Sequence, residues 1–390
     1  MSGDLSVNEA IARCKNEIQD LQMQIAQKLP EEKEEDLDYE YPLPLYLKDR
    51  FPDLKKPGTN TKPDFKAVNT LKGHFGKVYA MHWSEDNINV VSASQDGKLI
   101  IWNAIQGSKF DLIHLRSSWV MTCAYSPGPG KFVACGGLDN ICSVYRLSNG
   151  LASNGPGHSK AGTHAELAQH EGYLSCCRFV DENEIITSSG DTTCILWDIE
   201  TNREKQSFHG HDGDVMSVSV TEDGRQFVSG SCDSFSKLWD VRQNGANGAC
   251  VKTFKGHTSD INCVQYFPDY RSFGTASDDA SCRLFDLRSY RQMNKFSDEK
   301  VPVPVTSIAF TQSGRMLWAG YDDHMLHVWD TVRPRRVAGG HNSNATNLVS
   351  KLMSAHETRV SCLGISKNGQ AVCSGSWDTF LKIWALQPGK

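Results

Sequence analysis

A histidine, a hydroxyl residue, an aspartate and a tryptophan recur together along the chain, as His74, Ser92, Asp96 and Trp102 and again as His211, Ser229, Asp233 and Trp239. One such His–Asp–Ser set could act as a hydrolase triad, with the carboxylate orienting an imidazole that takes the serine proton. Here the set returns too often. An Asp stands six residues before an aromatic seven times: Asp96 and Trp102, Asp139 and Tyr145, Asp191 and Trp197, Asp233 and Trp239, Asp279 and Phe285, Asp323 and Trp329, Asp378 and Trp384. His170, His257 and His356 supply the imidazole in three further copies. Catalysis needs one site, so the combination reads as repeated structure rather than as an active centre. The 13 cysteines suggest a metal or disulfide inventory, yet none forms a C-x-x-C pair and Cys176 and Cys177 are adjacent. They read as reduced, buried thiols of a cytosolic protein. With no phosphate loop and no zinc-type ligand spacing, the expectation is a non-enzyme without cofactor or metal.

The spacing of the aspartates (43, 52, 42, 46, 44 and 55 residues) is that of a repeat architecture. Within one unit, Val215–Val220 alternates as a strand, Arg225–Ser229 and Ser236–Trp239 give two more, and Gly230–Asp233 makes a tight turn. A fourth strand, Val251–Phe254, precedes the next Gly-His. A lone four-stranded blade cannot bury both faces, so the units must stack radially. Four aromatics are followed by Asp, and Gly-His stands upstream at Gly73-His74, Gly210-His211 and Gly256-His257. This is the WD40 pattern. The expected fold is all-β, a seven-bladed WD40 propeller over residues 68–386, with residues near Val68–Leu71 closing the last blade beside Leu381–Trp384 and a tail at 387–390. In such units hydrogen bonds run from Asp to His to Ser or Thr to Trp. The hydroxyl position holds Ser92, Thr187, Ser229, Thr275 and Ser374, but Cys135 in the second unit and Ala319 in the sixth, where the network should be incomplete.

Before the ring, residues 1–29 predict an amphipathic helix from Ser6 to Lys28, with Ser6 and Glu9 resembling a capping box and Pro30 ending it. Val7, Ile11, Cys14, Ile18, Leu21 and Ile25 recur at alternating spacings of 4 and 3, the seam of a coiled coil. Such a helix is marginal in water by itself, so the seam points to a helical partner, with folding back onto the ring as the alternative. Residues 30–67 read as an acidic, then Pro- and Lys-rich linker. Ser148–Gly162 and Thr331–Ser350 read as exposed insertions between strands. With 41 basic and 46 acidic residues, net charge −5, the chain lacks the basic footprint of a nucleic-acid binder. It shows no run long enough to span a membrane, no secretory signal and no lipidation motif.

A coiled-coil helix followed by seven WD40 blades resembles the beta subunit of heterotrimeric G proteins. Segments beyond the repeat carry the resemblance: Lys77–Trp83, Val91–Trp102, Arg116–Tyr125, Ala134–Cys142, Ser188–Cys194 and Gly375–Asp378. It covers about residues 4–28 and 68–384. The resemblance implies an obligate gamma subunit on the Val7–Ile25 seam and a GDP-loaded alpha subunit on the narrow face of the ring. Downstream effectors would take an overlapping patch after release. It further implies a cytoplasmic protein held at the inner face of the plasma membrane only through lipidated partners. The matching contact positions are Phe75, Lys77, Tyr79, Lys98, Trp119, Met121, Leu138, Asn140, Tyr173, Asp214, Met216, Cys232, Asp260, Asn262, Asp278 and Trp377, with Ser108 and Lys109 for a side contact. Phe75 and Glu171 depart from the residues usual at their positions. A generic WD40 scaffold or adaptor is the alternative, and it would have no need of the heptad seam.

Overall fold

The structure, a computed structural model, describes residues 64–128, 130–147, 162–243, 250–298, 302–332, 348–353 and 355–387. The expected N-terminal helix, the linker up to residue 63, most of both insertions and the last three residues lie outside the described residues. All regular elements among the described residues are strands, arranged as seven four-stranded antiparallel sheets. Blade 1 is typical: Val78–Trp83, Asn89–Ser94, Lys98–Asn103 and Ser108–His114 pair in sequence order. The innermost strand of each blade touches that of the next, and Val360–Ile365 of blade 7 touches Val78–Trp83 of blade 1. The ring is closed.

Blade 7 is assembled from both ends of the described chain. Asp64–Leu71 pairs antiparallel with Leu381–Gln387, with a bulge between Ala67 and Asn69. This closing strand begins four residues ahead of Val68. Phe65 explains the extension: it is buried edge-on against Trp318 of blade 6, ring centroids 4.6 Å apart. That burial contributes about 1.5–3 kcal/mol. The fourth strands of blades 2 and 6 are Gly162–Ala168 and Leu348–Leu352, so strand pairing takes the last residue of the first expected insertion and the last three of the second.

Each inner strand is anchored by a fully buried aliphatic residue at its first position, as at Val78, Val120, Leu174, Val215, Ile261, Val305 and Val360. Interdigitation between blades makes the core. Val78, Met81 and Trp83 of blade 1 pack with Cys362, Cys373 and Leu381 of blade 7. Twelve cysteines among the described residues are free thiols, nine of them buried.

The His–Asp–hydroxyl–Trp sets lie inside the blades. In blade 4, His211 Nδ1 is 2.7 Å from Asp233 Oδ2, His211 Nε2 is 2.7 Å from Ser229 Oγ, and Trp239 Nε1 donates to Ser229 Oγ at 2.8 Å. The same chain links Asp96, His74, Ser92 and Trp102 in blade 1, Asp191, His170, Thr187 and Trp197 in blade 3, and Asp378, His356, Ser374 and Trp384 in blade 7. In blade 5 it stops at Thr275, because Phe285 has no N–H to donate. Each aspartate also accepts backbone N–H bonds, Asp96 from Phe75 and Lys98, Asp233 from Asp212 and Phe235. Burial alone would raise these carboxyls. The histidine and backbone hydrogen bonds outweigh it and hold Asp96, Asp191, Asp233, Asp279 and Asp378 below the usual carboxylate range. These groups set blade geometry and the turn that follows; they are not arranged around any common cleft.

Candidate docking face

One end of the ring is built from two repeating loops per blade: the residue just before the inner strand and the residue just after the second strand. A backbone hydrogen bond ties each pair. Gln95 N–H donates to Lys77 O, Leu138 to Trp119, Gly190 to Tyr173, Cys232 to Asp214, Asp278 to Asp260, Asp322 to Pro304 and Trp377 to Arg359, all at 2.9–3.1 Å. Most of the contact positions expected from sequence fall on this scaffold.

Four more are explained by a bulge that recurs in every blade. Register between the first two strands slips after the first residue, between Val78 and Ala80, Val120 and Thr122, Val215 and Ser217, and Ile261 and Cys263. The unpaired residue in each is Tyr79, Met121, Met216 or Asn262. A bulge re-aims its extra side chain away from the ladder, and here it places these four side chains at the inner rim of the same end. The corresponding bulge residues Ser175, Thr306 and Ser361, like Asn262, hydrogen-bond to a backbone carbonyl of the next blade, Val215, Val360 and Val78 respectively.

The face is divided by chemistry. Blades 1 and 2 present apolar surface: Phe75 is 83% exposed, Trp119 44% and Leu138 52%. Lys98 Nζ lies over the Phe75 ring, 5.3 Å from its centroid. Next to them, two cations lie against Trp377, with Lys77 Nζ 4.0 Å and the Arg359 guanidinium 5.0 Å from its ring and Tyr79 edge-on at 5.9 Å. Such contacts hold the indole in place, and its Nε1 is buried without a hydrogen-bond partner. Blades 3 to 5 are acidic. Tyr173 donates its hydroxyl to Asp214 Oδ2 at 2.8 Å and to Met216 Sδ at 3.4 Å; burial and the Asp214 carboxylate push its pKa well up. Asn262 Nδ2 donates to Asp278 Oδ1 at 2.6 Å and to Val305 O at 2.9 Å. Cys232 sits among Asp260, Asp214 and Asp278, and burial together with those charges raises its thiol to about 12.

Asn140 holds a left-handed backbone (φ 61°) in its turn and donates to Glu171 O at 3.2 Å. Ser108 and Lys109 are exposed on the outermost strand of blade 1, away from the inner rim, where Lys109 Nζ reaches Gly73 O at 3.4 Å. The sequence reading overlooked Arg359 and Asp322, which form an ion pair (Nε to Oδ1, 3.4 Å) in the gap between Trp377 and the acidic sector. The signal was present: Arg359 precedes its inner strand just as Lys77, Trp119, Tyr173, Asp214 and Asp260 precede theirs.

A sequence model of a family described as G protein beta WD-40 repeat protein matches residues 59–385, all seven blades and the closing strand. The chain belongs to the beta-subunit family of heterotrimeric G proteins. It is 53% identical over 315 residues to the guanine nucleotide-binding protein G(I)/G(S)/G(T) subunit beta-1 of Homarus americanus, covering 81% of this chain and 85% of the relative. It is 51% identical over 320 residues to the guanine nucleotide-binding protein subunit beta of Dictyostelium discoideum, covering 82% and 85%. Members of this family are signalling subunits, not catalysts, which accords with networks repeated around a ring. Among the described residues no helix is long and apolar enough to cross a membrane.

Proposed function

We propose that the divided face holds the alpha subunit of a heterotrimeric G protein in its GDP state, and that effectors engage an overlapping patch once alpha leaves. The observation that carries this reading is the exposed Phe75–Trp119–Leu138 surface lying beside an acidic sector of Asp214, Asp260 and Asp278. A large apolar anchor ringed by charge is the usual anatomy of a binding hot spot, and the two charge sectors fix the orientation of the partner. A gamma subunit pairs with the seam of Val7, Ile11, Cys14, Ile18, Leu21 and Ile25, and its lipid, with that of alpha, brings the complex to the inner face of the plasma membrane. Ser108 and Lys109 give alpha a second, lateral contact on blade 1.

The test is binding of the purified complex with gamma to alpha in each nucleotide state. Affinity should fall when alpha exchanges GDP for a non-hydrolysable GTP analogue, and equal affinity for both states refutes the reading. Trp119→Ala should weaken alpha binding by about 2 kcal/mol while leaving the thermal unfolding midpoint unchanged.

A further inference from the structure

Arg178 is a cation enclosed within the ring. It stands on the innermost strand of blade 3, Leu174–Phe179. Its NH1 donates to Cys177 O at 2.7 Å and to Cys123 O of blade 2 at 3.4 Å. Its charge is felt by His82 of blade 1 and Cys263 of blade 5, so the guanidinium lies toward the axis that these inner strands surround. The side chain is still reached by solvent in part, and the seven inner strands, touching in a closed circle, surround an axial channel. No carboxylate lies within ion-pairing distance of Arg178 among the described residues, although most other buried or half-buried basic groups here have one.

The surroundings are one-sided. At the same register of the other six inner strands stand His82, Ala124, Ser219, Gln265, Ala309 and Gly364. None is acidic. His82 Nδ1 accepts the Tyr125 N–H at 3.1 Å, which leaves the ring proton on Nε2 as a donor. Ser219 Oγ accepts the Tyr266 N–H at 3.0 Å and keeps its own proton to give. Gln265 has an amide oxygen buried without a partner. An unpaired charge in such a place costs several kcal/mol, and arginine cannot escape by losing a proton.

We propose that the axial channel binds a small monovalent inorganic anion, of halide size, against the Arg178 guanidinium. The charge to be met is single. Both channel ends carry mixed charge: Lys77 and Arg359 precede their inner strands as Asp214 and Asp260 do, and Lys367 bridges Glu85 and Glu222 at the other end. One guanidinium neutralises one negative charge, so a monovalent ion leaves no excess charge enclosed, whereas a multivalent oxyanion does.

The experiment uses the full-length chain, co-expressed with a gamma chain, at constant ionic strength made up with gluconate, a bulky organic anion. Exchanging gluconate for chloride or bromide should raise the unfolding midpoint by about 2 °C or more with saturation. Phosphate at equal ionic strength should give the smaller shift. Arg178→Met should abolish the halide effect, while Lys131→Gln, a surface cation on blade 2, should leave it intact. Should Arg178→Met fail to fold, bromide-soaked crystals of the unaltered chain decide: an anomalous peak beside the guanidinium supports the site. A midpoint indifferent to halide together with a channel free of bromide overturns it, and so does a phosphate shift larger than the chloride shift.

Discussion

Blades 4 and 6 solve the same packing problem by different means. In blade 4, His211 and Trp239 are both buried and each of their ring N–H groups has a partner, so polarity and packing reinforce each other. Blade 6 has Ala319 where the hydroxyl should be, and its interior is filled with aromatic bulk: Trp318, Tyr321, His327 and Trp329 are all at most 2% exposed. His327 stacks on Tyr321 with centroids 4.1 Å apart, yet neither ring nitrogen of His327, nor the Tyr321 hydroxyl, nor the Trp329 N–H has a hydrogen-bond partner. A blade therefore tolerates loss of the network when apolar contact replaces it. The cost is a cluster of unmet polar atoms.

The largest expected effect comes from cutting the complete network. Asp233→Ala strands a buried imidazole and two N–H donors, and should lower unfolding free energy by about 3–5 kcal/mol. The matching Asp323→Ala in blade 6 removes a carboxylate that accepts the Met325 N–H at 3.2 Å, and should cost about 1 kcal/mol. Denaturant titration of the two variants tests the contrast, which fails if their losses are alike.

Acid separates the two blades by pH window. Burial, followed by the charge of Lys351, lowers His327 from 6.5 to about 4 while Asp298 pulls the other way. A histidine lowered in the folded state favours unfolding as pH drops below 6.5, and the loss continues until the folded form itself protonates near 4. Its full size is about 3 kcal/mol. Asp233 is lowered from 3.8, so blade 4 holds its contribution above that pH and loses it only as pH falls through the depressed folded value. Comparing His327→Leu with the unaltered chain between pH 7 and 4.5 isolates the first window from that of other buried histidines such as His82. Parallel pH profiles would contradict the assignment.

A gain is expected from restoring the missing atom. Ala319→Ser offers the Trp329 N–H an acceptor at the position that Ser229 holds in blade 4, and should stabilise by about 1 kcal/mol. Indole hydrogen exchange at Trp329 should slow in step. Smallest in energy is the behaviour of Cys232 on the turn of blade 4. With its thiol pushed up to about 12, alkylation of this half-buried sulfur at pH 7.5 should be slow, and Asp260→Asn should speed it several-fold.

The same contrast marks what could be read from the chain. Repeated residues were legible: the Asp–aromatic spacing located all seven turns, and Cys135 and Ala319 marked gaps in the hydroxyl position, whereas the shortened network of blade 5 went unmarked because the spacing counts Phe285 as an aromatic like any other. Features held by single residues were not. His327 lies outside the repeated register, so nothing in the spacing distinguished it from an ordinary strand residue. The start of the closing strand was hidden because Asp64–Ala67 follows a Pro- and Lys-rich stretch and depends on one side chain, Phe65, meeting Trp318 far along the chain. Arg359 went unnoticed although it holds the same place before its inner strand as Lys77, because the order of residues does not show its stacking on Trp377. The docking positions came from family resemblance; the paired loops and, for Tyr79, Met121, Met216 and Asn262, the recurring bulge supply the physical reason, and bulges leave no compositional trace.

Because Asp64–Leu71 is completed by Leu381–Gln387, the earliest blade material to leave the ribosome must wait for the last. Six sheets can form as they emerge, but the seventh has an open hydrogen-bonding edge until synthesis is finished, and closing it joins residues more than three hundred positions apart. Truncation by a few C-terminal residues would therefore damage the beginning of the ring as much as its end. During that interval the nascent protein carries an unpaired flank that some guardian must shield.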